Sequence, residues 1–165
     1  SPYGFHKLIS EQICAEFYHL NKIKTCSMRV FSAYGEGLHK QLFWDIFQKA
    51  RQSDTISLFG TGSETRDFIH IDDILSSIDC IISSSQFEAD IINVATGIST
   101  SIREAASMFL DTIGMKKEIQ FSNIVKQGDP LGWVADIGKL ISYGFSPQVD
   151  LKSGLVQYKN WLKQE

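Results

Sequence analysis

The stretch Ser1-Pro2-Tyr3-Gly4-Phe5-His6-Lys7 sets the reading of the whole chain. Tyr3 and Lys7 stand four residues apart, so in a helix they share one face, roughly 6 Å apart along the axis. Pro2 suits the first helical position, where its missing N–H loses no hydrogen bond. A phenol with an ordinary pKa of about 10 is a poor base at neutral pH, and an adjacent ammonium favours the phenolate. Such a pair can take a proton from a substrate hydroxyl. The same spacing also describes two surface side chains on a first helical turn, and Tyr-x-x-x-Lys alone does not choose between the two.

Beyond residue 7, Ile9, Ile13, Phe17 and Leu20 recur at helical spacing, which predicts an amphipathic helix over 2–20. Lys24 to Phe31 reads as a buried strand and Ser32 to His39, with two glycines, as a loop. Gln41 to Gln52 returns to helical periodicity. Thr55–Phe59 and Arg66–His70 read as short strands on either side of the glycine turn Gly60-Thr61-Gly62. Asp72 and Asp73 sit where a helix to Ser85 begins, and are expected to act as its cap and dipole complement rather than as an acid/base pair. Ile91–Ala95 and Glu118–Phe121 are strand candidates. Ser101 with Glu104 has the form of a capping box for a helix closing at Gly114, and Asp136 and Asp150 are expected to cap two last helices. Helices alternate with short strands, so the class is α/β, with too few long strands for a complete doubly wound sheet.

Four segments carry a resemblance: SPYGFHK at 1–7, RVFSAYGEG at 29–37, LFGTGSETRDFIHIDDI at 58–74 and QGDPLGWVADIGKLISYGFSP at 127–147. In that order they resemble the signatures of the extended short-chain dehydrogenase/reductase family, the NAD-dependent nucleotide-sugar epimerases and dehydratases. The resemblance implies that Tyr3 and Lys7 are catalytic and contact the cofactor, NAD or NADP. It implies a nucleotide-diphosphate sugar as substrate and a 4-epimerase, with a 4,6-dehydratase or reductase as alternatives. It further implies a homodimer formed through the 2–20 helix, although such an apolar stripe is as often plain core.

The family's N-terminal strand, glycine-rich turn and helix hold the dinucleotide. Gly35-Glu36-Gly37 and Gly60-Thr61-Gly62 lack the third glycine and the strand-turn-helix setting of that fingerprint. The expectation is therefore the C-terminal part of such an enzyme, with the N-terminal dinucleotide site absent from this chain. Residues 1–34 are expected to belong to the cofactor-binding Rossmann domain and 35–165 mainly to a small mixed α/β substrate domain, with 66–95 returning in part to the Rossmann sheet. The alternative from another class is a catalytically silent nucleotide-sugar-binding or interaction module.

By the same resemblance, Arg66 grips the substrate diphosphate, where its planar fork suits a phosphate; the competing reading is a surface arginine paired with Asp67 or Glu64. Lys126 stands where the family usually has arginine and supplies the charge without the fork. Asp129 corresponds to a residue that contacts the nucleotide ribose, or is a turn aspartate before Pro130. Ser32 replaces a substrate-contacting asparagine with one hydroxyl. Tyr34 and Gly35 fit the same motif. Phe59 either stacks on the base or packs in the core.

Composition narrows the rest. With 165 residues, 43% hydrophobic and 21% charged, one ordinary globular core is expected. A formal net charge of −3 offers no basic footprint for nucleic acid or a membrane surface. No apolar run approaches a bilayer span and no signal-peptide pattern is visible, so the cytoplasm is the expected location. Cys14, Cys26 and Cys80 show neither a C-x-x-C spacing nor a disulfide framework and are expected reduced and buried. His6, His19, His39 and His70 are scattered, so no metal site is expected.

Overall fold

A computed structural model describes residues 1–124, 128 and 130–164. Lys126 and Asp129, two of the expected substrate contacts, lie outside the described residues. Helix α1 (Pro2–Asn21) starts where the sequence places it: the Ser1 side chain accepts the Gly4 N–H, and Lys22, with φ 57°, ends it in the left-handed conformation. Strands β1 (Thr25–Val30) and β2 (Ser32–Tyr34) lead to α2 (Gln41–Gln52) and β3 (Thr55–Leu58). Then come β4 (Thr65–Arg66), β5 (Phe68–His70), α3 (Ile71–Ser84), β6 (Glu88–Val94) and β7 (Thr100–Ser101). Helix α4 (Ile102–Ile113), β8 (Glu118–Phe121), α5 (Gly138–Ser142) and α6 (Leu151–Leu162) follow.

Three strand pairs are parallel, β1 with β6, β2 with β5 and β3 with β8, while β4 and β7 run antiparallel. Parallel neighbours require crossover connections, which is why each parallel pairing joins strands distant in sequence. Two hydrophobic clusters flank β5. Phe68 packs with Tyr34, Phe43, Ile56, Phe109, Leu155 and Tyr158, whereas its neighbour Ile69 packs with Ile74, Ile81, Ile92, Val94 and Leu140. Successive strand side chains point to opposite faces, so one three-residue strand feeds both cores.

Several expectations are corrected. Ser32–Tyr34 is a strand rather than loop, because it pairs with β5 in the register Ser32↔Phe68. The expected single strand over 66–70 is split at Asp67 into β4 and β5, which pair with different partners. The cap of α3 is His70, whose side chain accepts the Asp72 N–H. Asp73 is buried and accepts the N–H groups of Gln148 and Val149 instead. In α5 the cap residue is Ile137, and Asp136 accepts the Gly138 N–H. The cysteines are free but half-buried rather than buried. Ser101, Gly114 and Asp150 cap α4 and α6 as their sequence signals require.

No residue of α1 is buried, and Leu8, Ile9, Ile13, Phe17 and Leu20 are all exposed. The helix is tied to β1 by the bidentate pair between Glu11 and Arg29, with both contacts at 2.6 Å, and by the Thr25 hydroxyl donating to the Cys14 carbonyl. Among the described residues, no helix is long and apolar enough to cross a membrane.

Candidate functional site

Tyr3 lies on the first turn of α1 and is 70% exposed, with the Lys7 ammonium 5.4 Å from its ring centre. The i,i+4 spacing thus brings the phenol and the ammonium together on one open face. Two other tyrosines are in a different state. Burial pushes the Tyr34 phenol well above its ordinary range, helped by the Asp150 and Asp73 charges, and burial pushes Tyr158 up to about 12. A buried phenol stays protonated at neutral pH, because its anion would lose solvation, so neither side chain is available as a base there.

Arg66 does not pair with Asp67 or Glu64. Its Nη1 donates to the carbonyls of Thr65 (2.8 Å) and Pro130 (2.9 Å), which ties the Pro130 end of the 130–136 stretch to β4. Ser32 begins β2, with its N–H donating to the Asp67 carbonyl at 3.0 Å. Next to it, Phe31 meets Trp133 edge-on with ring centres 5.7 Å apart. Phe59 lies just past the end of β3 and is 63% exposed, so it is not core. Tyr34 is buried edge-on against Phe43, Phe68 and His70, which makes it a packing residue.

The turn Gly60-Thr61-Gly62 is occupied by the chain itself. The buried Glu64 carboxylate accepts the N–H groups of Thr61 and Gly62 and the Thr61 hydroxyl. The backbone N–H of Thr61 leads the interactions that hold this carboxyl below its usual range. A Cβ at Gly60 would meet that carboxylate at 2.8 Å. At the other glycine pair, Gly35 has φ 137°, and a Cβ there would meet Ile71 Cγ2 at 2.6 Å. The Thr61 and Gly62 amides are therefore not open to a pyrophosphate.

Sequence reasoning missed Asp67. Fully buried, it accepts the N–H groups of Thr96, Gly97 and Ala135 and the Thr96 hydroxyl. The available signal was a carboxylate interrupting a run of strand-forming residues, which favours a break with a buried acceptor over one continuous strand.

The model of the NAD dependent epimerase/dehydratase family matches residues 1–95. The chain belongs to that family. A putative UDP-glucose 4-epimerase of Methanocaldococcus jannaschii is 27% identical over 99% of this chain and 53% of its own length. A UDP-glucuronate 4-epimerase of Thermodesulfobacterium geofontis is 28% identical over 99% of this chain and 51% of its own. Among solved structures, the UDP-glucuronic acid 4-epimerase of Bacillus cereus in complex with UDP-glucuronic acid and NAD superimposes with a TM-score of 0.89 at 28% identity. That match covers 99% of this chain and 53% of that one. The α/β fold is thus that of the epimerase/dehydratase family, and the chain spans about half the length of these relatives.

Family membership implies NAD. Tyr3 and Lys7 share an exposed face that leaves room for a ligand beside them. The Gly60-Thr61-Gly62 turn offers no cradle for the pyrophosphate, since the Glu64 carboxylate takes its amides.

Proposed function

We propose that this chain supplies the proton-transfer pair and the sugar-nucleotide face of an NAD-dependent nucleotide-sugar 4-epimerase. The observation that carries the reading is the Tyr3–Lys7 pair on an exposed helix face, within the stretch matched by the family model. Relatives described as 4-epimerases of UDP-glucose and UDP-glucuronate support the reaction class. NAD, or NADP, supplies the hydride acceptor and donor. The Tyr3 oxygen takes the proton of a sugar hydroxyl and later returns it. Lys7, with its ammonium beside the Tyr3 ring, hydrogen-bonds the nicotinamide ribose. Arg66 and Lys126 neutralise the diphosphate, Asp129 accepts from the nucleotide ribose, and Ser32 bonds the sugar.

In this reading α1 and the β1–β6 pair belong to the cofactor-binding domain. The remainder from residue 35 is mainly substrate-binding, with 66–95 shared between the two. The apolar stripe of α1 is the interface of a homodimer, and the working location is the cytoplasm. The test is 4-epimer formation from UDP-glucose and UDP-glucuronate by the full-length protein with NAD. Tyr3→Phe should lower kcat by about 10²–10⁴-fold while sugar-nucleotide affinity is kept. Full turnover by that variant ends the assignment.

A further inference from the structure

Asp67 is fully buried, and neither the proton transfer nor the phosphate contacts proposed above use its carboxylate. Oδ1 accepts the Thr96 N–H and the Thr96 hydroxyl, both at 2.8 Å. Oδ2 accepts the Gly97 N–H at 2.9 Å and the Ala135 N–H at 3.2 Å. The backbone carbonyl of the same residue accepts the Ser32 N–H at 3.0 Å. On its N-terminal side, the Thr65 N–H donates to the Leu131 carbonyl at 2.9 Å and Arg66 Nη1 to the Pro130 carbonyl at 2.9 Å. The Asp67 side chain thus joins Thr96, Gly97 and Ala135, while its own backbone holds Ser32 and the two residues before it hold Pro130 and Leu131.

The chemistry of the junction requires a carboxylate. Four donors need an acceptor-only group with two oxygens, whereas an amide would turn an NH2 toward one pair of them. Hydrogen bonds to a charged acceptor are also about twice as strong as neutral ones, which holds three otherwise separate segments in a fixed relation.

We propose that Asp67 is a positioning residue. By fixing the distance between Arg66 and the 130–135 stretch, it sets the affinity for the diphosphate of the sugar nucleotide. The inference rests on the sugar-nucleotide reading given above. None of these hydrogen bonds involves α1, so the Tyr3–Lys7 pair is independent of the junction.

The experiment uses the full-length protein, with UDP and UDP-glucuronate as probes in calorimetry and steady-state kinetics. Asp67→Asn, if folded by circular dichroism, should weaken both probes by the same factor, at least about tenfold. KM should rise in parallel, with kcat kept within about threefold. A folded variant with unchanged affinity, or with reduced kcat and unchanged KM, overturns the inference. Should Asp67→Asn fail to fold, Thr96→Val takes over the test, because it removes one donor and leaves the backbone N–H in place. Weakening of about threefold or more at constant kcat supports the inference, and unchanged affinity overturns it. Failure of the wild-type protein to bind either probe overturns the sugar-nucleotide reading and this inference together. Wild-type binding with unaltered variants overturns this inference alone.

Discussion

Gly154→Ala sets two well-characterised effects against each other. Gly154 lies buried within α6, where replacing glycine by alanine ordinarily stabilises a helix by about 1 kcal/mol. Here the added Cβ would fall 2.8 Å from Tyr34 Cζ and 2.9 Å from His70 Cδ2, and closer still to the Tyr34 hydroxyl. These distances lie well inside the roughly 3.5–4.0 Å at which carbon atoms rest. Tyr34 cannot turn away easily, since its ring is wedged edge-on against Phe43, Phe68 and His70. Overpacking a closed core costs about 1–3 kcal/mol, and a contact this deep belongs at the upper end of that range. Setting about 3 kcal/mol of strain against about 1 kcal/mol of propensity leaves a net destabilisation of about 2 kcal/mol. Urea unfolding followed by circular dichroism reads this as a lower midpoint at unchanged slope. Tyr34→Phe in the same chain should recover part of the loss, because the nearest atom is removed. An alanine variant as stable as the wild type, or more so, would refute the packing argument.

Glu64 contributes stability through a lowered carboxyl pKa, so its contribution is present above the unfolded value and lost as the pH falls through the folded one. Glu64→Gln should therefore unfold more easily at pH 7 and show a shallower loss of stability below about pH 4.3, as followed by thermal melts across pH. Asp73→Ala strands the N–H groups of Gln148 and Val149 and should cost about 1–3 kcal/mol for each one left unsatisfied, read by urea unfolding. On the proposed dimer, Phe17→Asp on α1 should shift the full-length protein to monomer in sedimentation.

The helices were the legible part of the sequence because their signals are local. Ser101 with Glu104, Gly114 and Asp150 each cap an element within a few residues of themselves. Strands of two or three residues carry no such signal. Ser32–Tyr34 exists through Phe68–His70, and Arg66 is placed by Thr100, so their pairings are fixed only once the chain has folded back. His70 was unreadable as a cap because histidine is not among the usual capping residues. The site divides in the same way. Tyr3 and Lys7 are four residues apart, so a helix alone unites them. By contrast, the carbonyl of Pro130 on Arg66 and the amides of Thr96, Gly97 and Ala135 on Asp67 are long-range partners. A buried carboxylate and an exposed one are the same letter until the surrounding donors are known.

Helix α1 carries the candidate catalytic pair, yet none of its 20 residues is buried in this chain's core. Helices in proteins derive most of their stability from packing an apolar face against something else. In the proposed dimer, the surface that closes over Leu8, Ile13 and Phe17 would add to the Glu11–Arg29 and Cys14–Thr25 ties in setting the aim of the Tyr3 hydroxyl. On that proposal, chemical competence would be a property of assembly. Specific activity should decay on dilution, and substitutions along the stripe should read in kinetics as catalytic lesions although they touch neither substrate nor cofactor.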